Sequence, residues 1–123
     1  MSELEKSNFH KELQELMDKF ASEVYDCTSK FPKDEIFGLT SQLRRASISV
    51  VLNYIEGYAR RRDKVFRNFL DISYGSLKEA KYLVYFCHKR KFIGSEEYKR
   101  LVDMSERIGK MLWGIISKVE SNN

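Results

Sequence analysis

Apolar residues recur every three or four positions along most of this chain, and this spacing limits the available folds more than any other feature. In the first third of the sequence the repeat runs through Phe9, Leu13, Leu16, Phe20 and Val24. Such a repeat places one apolar stripe along an α-helix. Only one proline and six glycines interrupt the 123 residues, which favours long helices over many short strands.

Four segments carry this periodicity, with short turns between them. The run SISVVLNYI in the second segment is typical of strands, but the apolar positions on either side of it continue the helical period. The expected core includes Ile55 in the second segment and Ile72 in the third, and Asp63 is expected to cap the third helix. Helices joined by short turns bury their stripes against one another. We therefore predict an all-α protein of one domain, residues 1–123, folded as an antiparallel up-down-up-down four-helix bundle with helices at about residues 3–29, 39–61, 63–91 and 95–119.

The composition also limits where the protein works. No apolar run approaches the roughly 20 residues that a membrane span needs. The N-terminal stretch MSELEKSNFHKEL has acids where a signal peptide has a basic start and an apolar run, so we expect a cytoplasmic protein. Cys27 and Cys87 lie far apart without CxxC spacing. In a reducing compartment they are most simply small buried apolar side chains, and neither a disulfide nor a metal site is expected.

The positive charge is concentrated in one part of the chain. The formal net charge is +4, yet the window from Arg44 to Arg67 holds seven bases and two acids and carries +5 by itself. In the predicted bundle the turn at residues 60–64 lies at one end. Arg45 lies near the other end, roughly 24 Å from Arg61 along the helix axis. The sequence therefore predicts two basic ends rather than one basic patch.

Two interpretations of this charge remain open. Charge runs are usually solvated surface, but arginine forks also suit phosphate oxygens, and several together give salt-dependent affinity for nucleic acid. Under the second interpretation the first group of nucleic-acid-binding residues is Arg60, Arg61, Arg62, Lys64 and Arg67. Arg44 and Arg45 then lie at the second basic end or in subunit contacts.

A polar break interrupts the second helix. Ser49, Asn53, Glu56 and Arg60 share one face, and Glu56 and Arg60 have the spacing of a helical ion pair. Gly57 costs about 1 kcal/mol in a helix interior relative to alanine, and close approach of another backbone is the usual reason for such a glycine. We predict that Asn53, Glu56 and Gly57 lie at a packed contact, within the bundle or between subunits.

No known catalytic arrangement is found in the sequence. The Glu-x-x-His pairs of di-iron bundles are absent, because Ser7 and Tyr85 precede His10 and His88 by three residues. There is no phosphate-binding glycine loop, nucleophile elbow or zinc spacing. We therefore expect no enzymatic activity and no cofactor.

Residues 31–84 carry a set of motifs that are specific when taken together. They read FPxxExxGLxxQLRRA, N-x-x-EG-x-x-R and F-x-x-FLxIxxGSLxE, and they begin at Phe31, Asn53 and Phe66. In these motifs the chain resembles the four-helix bundle family encoded by intervening sequences in bacterial 23S rRNA genes. One departure is Val51, where the family commonly has proline. The resemblance covers nearly the whole chain if the first and last helices, which match only in pattern, are included.

The resemblance implies a four-helix bundle that is often assembled as a ring of five subunits. Relatives include accessory proteins of diversity-generating retroelements, whose basic pentamers bind nucleic acid and a reverse transcriptase. Our first hypothesis is thus a non-enzymatic homo-oligomer that binds ribosomal RNA or another nucleic acid through clustered arginines. The second is a protein-interaction scaffold or accessory subunit that uses exposed aromatics such as Tyr54, Tyr82 or Tyr85. A metal or redox enzyme is the third and requires a bound metal or cofactor.

Overall fold

In the computed structural model, which describes residues 1–121, the chain forms four α-helices and one short 3₁₀ turn. Each helix packs against its neighbours in sequence, and the last packs back against the first. The predicted all-α bundle with alternating helix directions is confirmed, and residues 1–121 contain no strand. The helices are α1 (Glu3–Thr28), α2 (Leu39–Ala59), α3 (Phe66–Lys89) and α4 (Ser95–Ser121), and the 3₁₀ turn spans Lys33–Glu35.

The apolar stripes of the four helices meet in one continuous core. Each fully buried aliphatic or aromatic side chain contributes about 1.5–3 kcal/mol of transfer free energy, so the core is the main source of stability. The largest fully buried side chains are Tyr54, Phe20, Leu13, Met17, Leu43, Leu70, Leu77, Ile93, Leu101, Ile108, Leu112 and Ile116.

None of the helices that the structure describes is long and apolar enough to cross a membrane.

Two residues expected in the core lie on the surface instead. Ile55 is 42% exposed and Ile72 is 50% exposed. On α2 the positions that face the core are Val50, Tyr54 and Gly57, and a residue next to Tyr54 is rotated about 100° away from them. On α3 the core-facing position is Ser73, whose hydroxyl donates to the Val50 carbonyl at 2.7 Å.

The buried position of Tyr54 also corrects a prediction about protein binding. Tyr54 was expected among the exposed aromatics, yet only 1% of its surface is accessible. Tyr82 and Tyr85, the other two members of that set, are 60% and 46% exposed. The prediction that Tyr54 anchors a protein partner is therefore wrong, because its ring is part of the core.

The turn between α2 and α3 is longer than predicted. Helix α2 ends at Ala59, and α3 begins at Phe66 after a cap at Val65 that has no side-chain hydrogen bond. Asp63, the predicted cap, uses its backbone carbonyl to accept from the Phe66 amide at 3.2 Å. Gly57 packs against Phe66 in the first turn of α3, and residues 60–65 reverse the chain between the two helices.

Cys27 and Cys87 are both free and buried. Burial raises the pKa of the Cys27 thiol to about 12 and that of the Cys87 thiol to about 11. Both sulfurs are therefore protonated at neutral pH, and thiolate chemistry is suppressed at each position.

Candidate nucleic-acid interface

The turn at residues 60–65 presents exposed cations at the end of the bundle where α2 meets α3. Arg61, Arg62 and Lys64 are all exposed. The Arg61 guanidinium lies 4.7 Å from the ring centroid of Tyr58 and donates to the Tyr58 carbonyl at 3.1 Å. Within residues 1–121, the side chains of Arg62 and Lys64 form no hydrogen bond or ion pair with the chain. These two cations can accept an external anion without breaking a contact.

Arg60 and Arg67 flank the turn and are paired with acids. Arg60 Nε lies 2.8 Å from Glu56 Oε1, the helical pair that the spacing predicts. Arg67 Nε lies 2.9 Å from Asp71 Oδ1, and its Nη1 lies 3.8 Å from Glu120 Oε1. Exposed pairs of this kind contribute about 0–1 kcal/mol, so a phosphate can compete with them at small cost.

The other two predicted cations lie toward the opposite end of the bundle and differ from each other. Arg44 Nε donates to Thr28 Oγ1 at 2.8 Å, and its guanidinium lies 4.6 Å from the ring centroid of Tyr25. A further contact of 3.4 Å reaches the Tyr25 carbonyl in the last turn of α1, where a cation complements the negative helix end. Arg45 is exposed. Arg44 is thus used within the bundle, and Arg45 alone of the two projects into solvent.

Polar side chains line the contact between α2 and α3. Asn53 Nδ2 donates to the carbonyl and to the hydroxyl of Ser49, both at 2.9 Å. The Ser49 hydroxyl in turn bonds to the Ser76 hydroxyl of α3 at 2.7 Å. This chain of hydrogen bonds satisfies the partly buried amide and fixes the two helices in register.

Gly57 is buried where α2 packs against Phe66 and Phe69 of α3. A Cβ atom built on Gly57 would stand 2.9 Å from the Phe69 Cβ and 3.6 Å from the Phe66 carbonyl oxygen. Real Cβ contacts are not this short, and a Cβ next to a backbone cannot move aside cheaply. The glycine therefore sets the spacing between the helices and holds the cationic turn against the bundle.

His10 and Tyr54 form a polar contact that the sequence did not reveal. The imidazole Nδ1 is hydrogen-bonded to the Tyr54 hydroxyl, and the ring lies 4.0 Å from that of Tyr58, centroid to centroid. Burial, followed by the charge of Arg61, lowers the pKa of His10, and burial raises the pKa of the Tyr54 phenol. Both shifts favour the neutral forms, and in the imidazole tautomer that carries its proton on Nε2 the phenol donates to Nδ1. The sequence contains one signal for the burial of Tyr54. This residue follows Val50 by four positions and so lies on the apolar stripe of α2.

The lowered pKa of His10, caused first by burial and then by the charge of Arg61, makes stability depend on pH. The unfolded chain takes up a proton near the ordinary histidine pKa of 6.5, whereas the folded imidazole resists it to a lower pH. We expect the free energy of unfolding to fall as the pH drops below about 6.5. In urea denaturation between about pH 7.5 and pH 5, the His10→Gln variant should lose less stability than the wild type, because glutamine accepts from Tyr54 without titrating. Equal losses in both proteins would contradict this assignment.

In residues 1–121 no three His, Cys, Asp or Glu side chains are grouped so that they could hold a metal ion. The cationic turn is therefore the site with the clearest chemical preference, and that preference is for anions.

The chain is similar to one sequence family and to solved structures of the same fold. A sequence model of the 23S rRNA-intervening sequence protein family matches residues 10–114. Among solved structures, the chain is similar to a protein of unknown function from the S23 ribosomal protein family of Bacteroides thetaiotaomicron, with a TM-score of 0.80 and 21% identity over 89% of this chain and 98% of that one. At this identity the similarity shows the shared fold alone. No curated protein matches the chain.

Proposed function

The chain belongs to the 23S rRNA-intervening sequence protein family, and we propose that it is a non-enzymatic, homo-oligomeric bundle that binds RNA or another nucleic acid. The observation that carries this proposal is the α2–α3 turn, where Arg61, Arg62 and Lys64 are exposed. Arg60 and Arg67 flank them in exchangeable ion pairs. A cytoplasmic site of action, as the sequence suggests, is part of the same proposal.

The chemistry of this turn favours phosphate contact over base recognition. Guanidinium groups on an exposed turn can each donate two parallel hydrogen bonds to phosphate oxygens. The turn is short and offers no helix or strand that could enter a groove and read base edges. Binding should therefore depend strongly on salt and weakly on sequence. In this proposal Arg45 contributes at the second basic end, and Arg44 serves to hold α1.

Oligomerisation would bring several such turns together. Leu52 on α2 is 58% exposed and Ile72 on α3 is 50% exposed. Val50 and Ser73, which lie two residues and one residue away from them in sequence, are hydrogen-bonded, so the two exposed side chains lie at a similar height along the bundle. Exposed apolar side chains are typical of subunit contacts, and the surface around Leu52 and Ile72 is the candidate face. We propose that this face joins the subunits, in the ring of five that the family resemblance implies.

Charged substitutions on this face should separate the subunits. The double variant Leu52→Glu, Ile72→Glu is expected to be monomeric in multi-angle light scattering, since an interface that buries unpaired carboxylates is strongly disfavoured. Leu4, which is 71% exposed near the N-terminus, provides the control, and Leu4→Glu should keep the wild-type mass. A wild-type protein that is itself monomeric, or a double variant of unchanged mass, would overturn the proposed interface.

The function is tested by titrating a fluorescently labelled RNA duplex with the purified protein over a range of salt concentrations. The proposal predicts binding at low salt and a linear fall of log affinity with log salt concentration. Two duplexes of equal length and unrelated sequence should bind alike. A protein that does not bind either duplex at low ionic strength would rule out the proposed function.

One observation favours a second candidate, a protein-interaction scaffold. Tyr82 and Tyr85 are exposed on α3, with ring centroids 6.2 Å apart, and paired exposed tyrosines are typical anchors of protein interfaces. A complex that survives nuclease and high salt, and that is lost when both tyrosines are replaced by serine, would favour this function over RNA binding.

A further inference from the structure

An apolar pocket opens at the same end of the bundle as the cationic turn. Its volume is about 500 Å³, and side chains from all four helices line it. Phe9 of α1, Phe66 of α3 and Met111 and Ile115 of α4 are partly buried there and pack on the edge of the core. Pockets that hold small molecules typically measure about 300–1,000 Å³ and are mostly apolar. This opening is therefore of a size that suits a small ligand.

Gly114 is the reason that the pocket stays open. It lines the pocket from α4, and a Cβ atom built on it meets nothing within 4 Å. Met111, Ile115 and Val119 follow one another at intervals of four, so they form an apolar ridge about 12 Å long beside the glycine. A larger residue at position 114 would lie over the preceding turn and fill this space. We refer to this apolar pocket, with its ridge from α4, as the slot.

The rim of the slot is positively charged. Lys6, Arg61, Lys110 and Lys118 line it, and none of the described residues that line it is acidic. The acid that contacts this rim, Glu3, lies 3.7 Å from Lys6 and is 96% exposed, so water screens the pair. An apolar slot with a cationic rim complements a molecule that has an apolar body and a negative head.

We propose that the slot binds a single-chain amphiphile with a carboxylate head, namely a medium-chain fatty acid. Its tail would lie along the ridge of α4, and its carboxylate would meet the lysines and the arginine of the rim. A neutral apolar molecule would make no charge-assisted contact with the rim, and a nucleic acid has no apolar chain to fill the slot. The slot shares Arg61 with the proposed RNA contacts, and its other lining residues lie outside them.

The proposal is tested by isothermal titration calorimetry of the full chain with monomeric decanoate. Wild-type protein should bind a single decanoate per chain, and 1-decanol should bind more weakly because it lacks the charge. Gly114→Phe should abolish binding by filling the slot. Gly114→Ala, which also replaces the glycine within α4 but adds only a methyl group, should keep it. The double variant Lys6→Ala, Lys110→Ala should bind about tenfold more weakly through the loss of charge-assisted contacts.

Several outcomes would overturn the proposal. Absence of decanoate binding to wild type would do so, as would equal binding by Gly114→Phe when circular dichroism shows that the variant is folded. If 1-decanol binds as tightly as decanoate, the proposal that the slot selects a ligand with an anionic head group is wrong. If decanoate gives no heat but a glutamate-rich amphipathic peptide binds and Gly114→Phe abolishes that binding, the slot takes a protein segment instead. None of these experiments contains RNA. Their results therefore do not depend on whether the proposed function is correct.

Discussion

Replacing Arg61, Arg62 and Lys64 together with serine is expected to weaken RNA duplex binding by roughly a hundredfold near physiological salt. The reason is that each cation that neutralises a phosphate releases condensed counterions. The slope of log affinity against log salt concentration should become shallower by about 2 to 3, near one unit for each contact removed. Fluorescence anisotropy titrations over a series of salt concentrations measure both quantities.

A matched variant at the opposite end of the bundle provides the control. Lys30, Lys33 and Lys89 are also exposed cations, and replacing all three with serine changes the net charge by the same amount. This control should bind more tightly and keep a steeper slope than the turn variant. If the two triple variants weaken binding equally, the effect reflects net charge alone, and the α2–α3 turn is not the binding site.

Replacing Gly57 with valine should destabilise the bundle by about 3 kcal/mol. The new Cβ would stand 2.9 Å from the Phe69 Cβ, and neither backbone can retreat without opening the contact between α2 and α3. The branched side chain also fits poorly against the preceding helical turn. Urea denaturation followed by circular dichroism measures the change in the free energy of unfolding.

Gly114→Ala separates this steric effect from helix propensity. Gly114 also lies inside a helix, but a Cβ there meets nothing within 4 Å, so the substitution should stabilise the protein by up to about 1 kcal/mol.

A Gly57→Val protein that unfolds at the wild-type urea concentration would show that the close approach of α2 and α3 does not depend on the glycine.

The sequence predicted the helices well because their stripes are long and regular. The departures are local and have identifiable causes. Ile72 looked like a core residue from its apolarity, but the core-facing position next to it is taken by Ser73, which finds the Val50 carbonyl as its partner. Asp63 had the right residue type for a cap, but α3 starts three residues later, at Phe66, after a cap at Val65 without a side-chain hydrogen bond. Periodicity contains neither the tertiary partner of Ser73 nor the exact start of a helix.

The candidate site was predictable in part. A run of arginines next to a turn is visible in the sequence, and the exposed positions of Arg62 and Lys64 follow from it. The partners of the other cations were not predictable, because they come from distant parts of the chain. Arg44 is held by Thr28 across the first turn of the bundle, and Arg67 also contacts Glu120 of α4. The apolar slot was not predictable either, because residues from all four helices form it.

The burial of the two thiols gives the protein built-in reporters of its own opening. Cys27 is 4% exposed and Cys87 is fully buried, one on α1 and the other on α3. A thiol reagent can modify either sulfur only while the surrounding helices are apart. Labelling rates at the two positions therefore measure how often each of these helices detaches in the native protein, without any introduced probe.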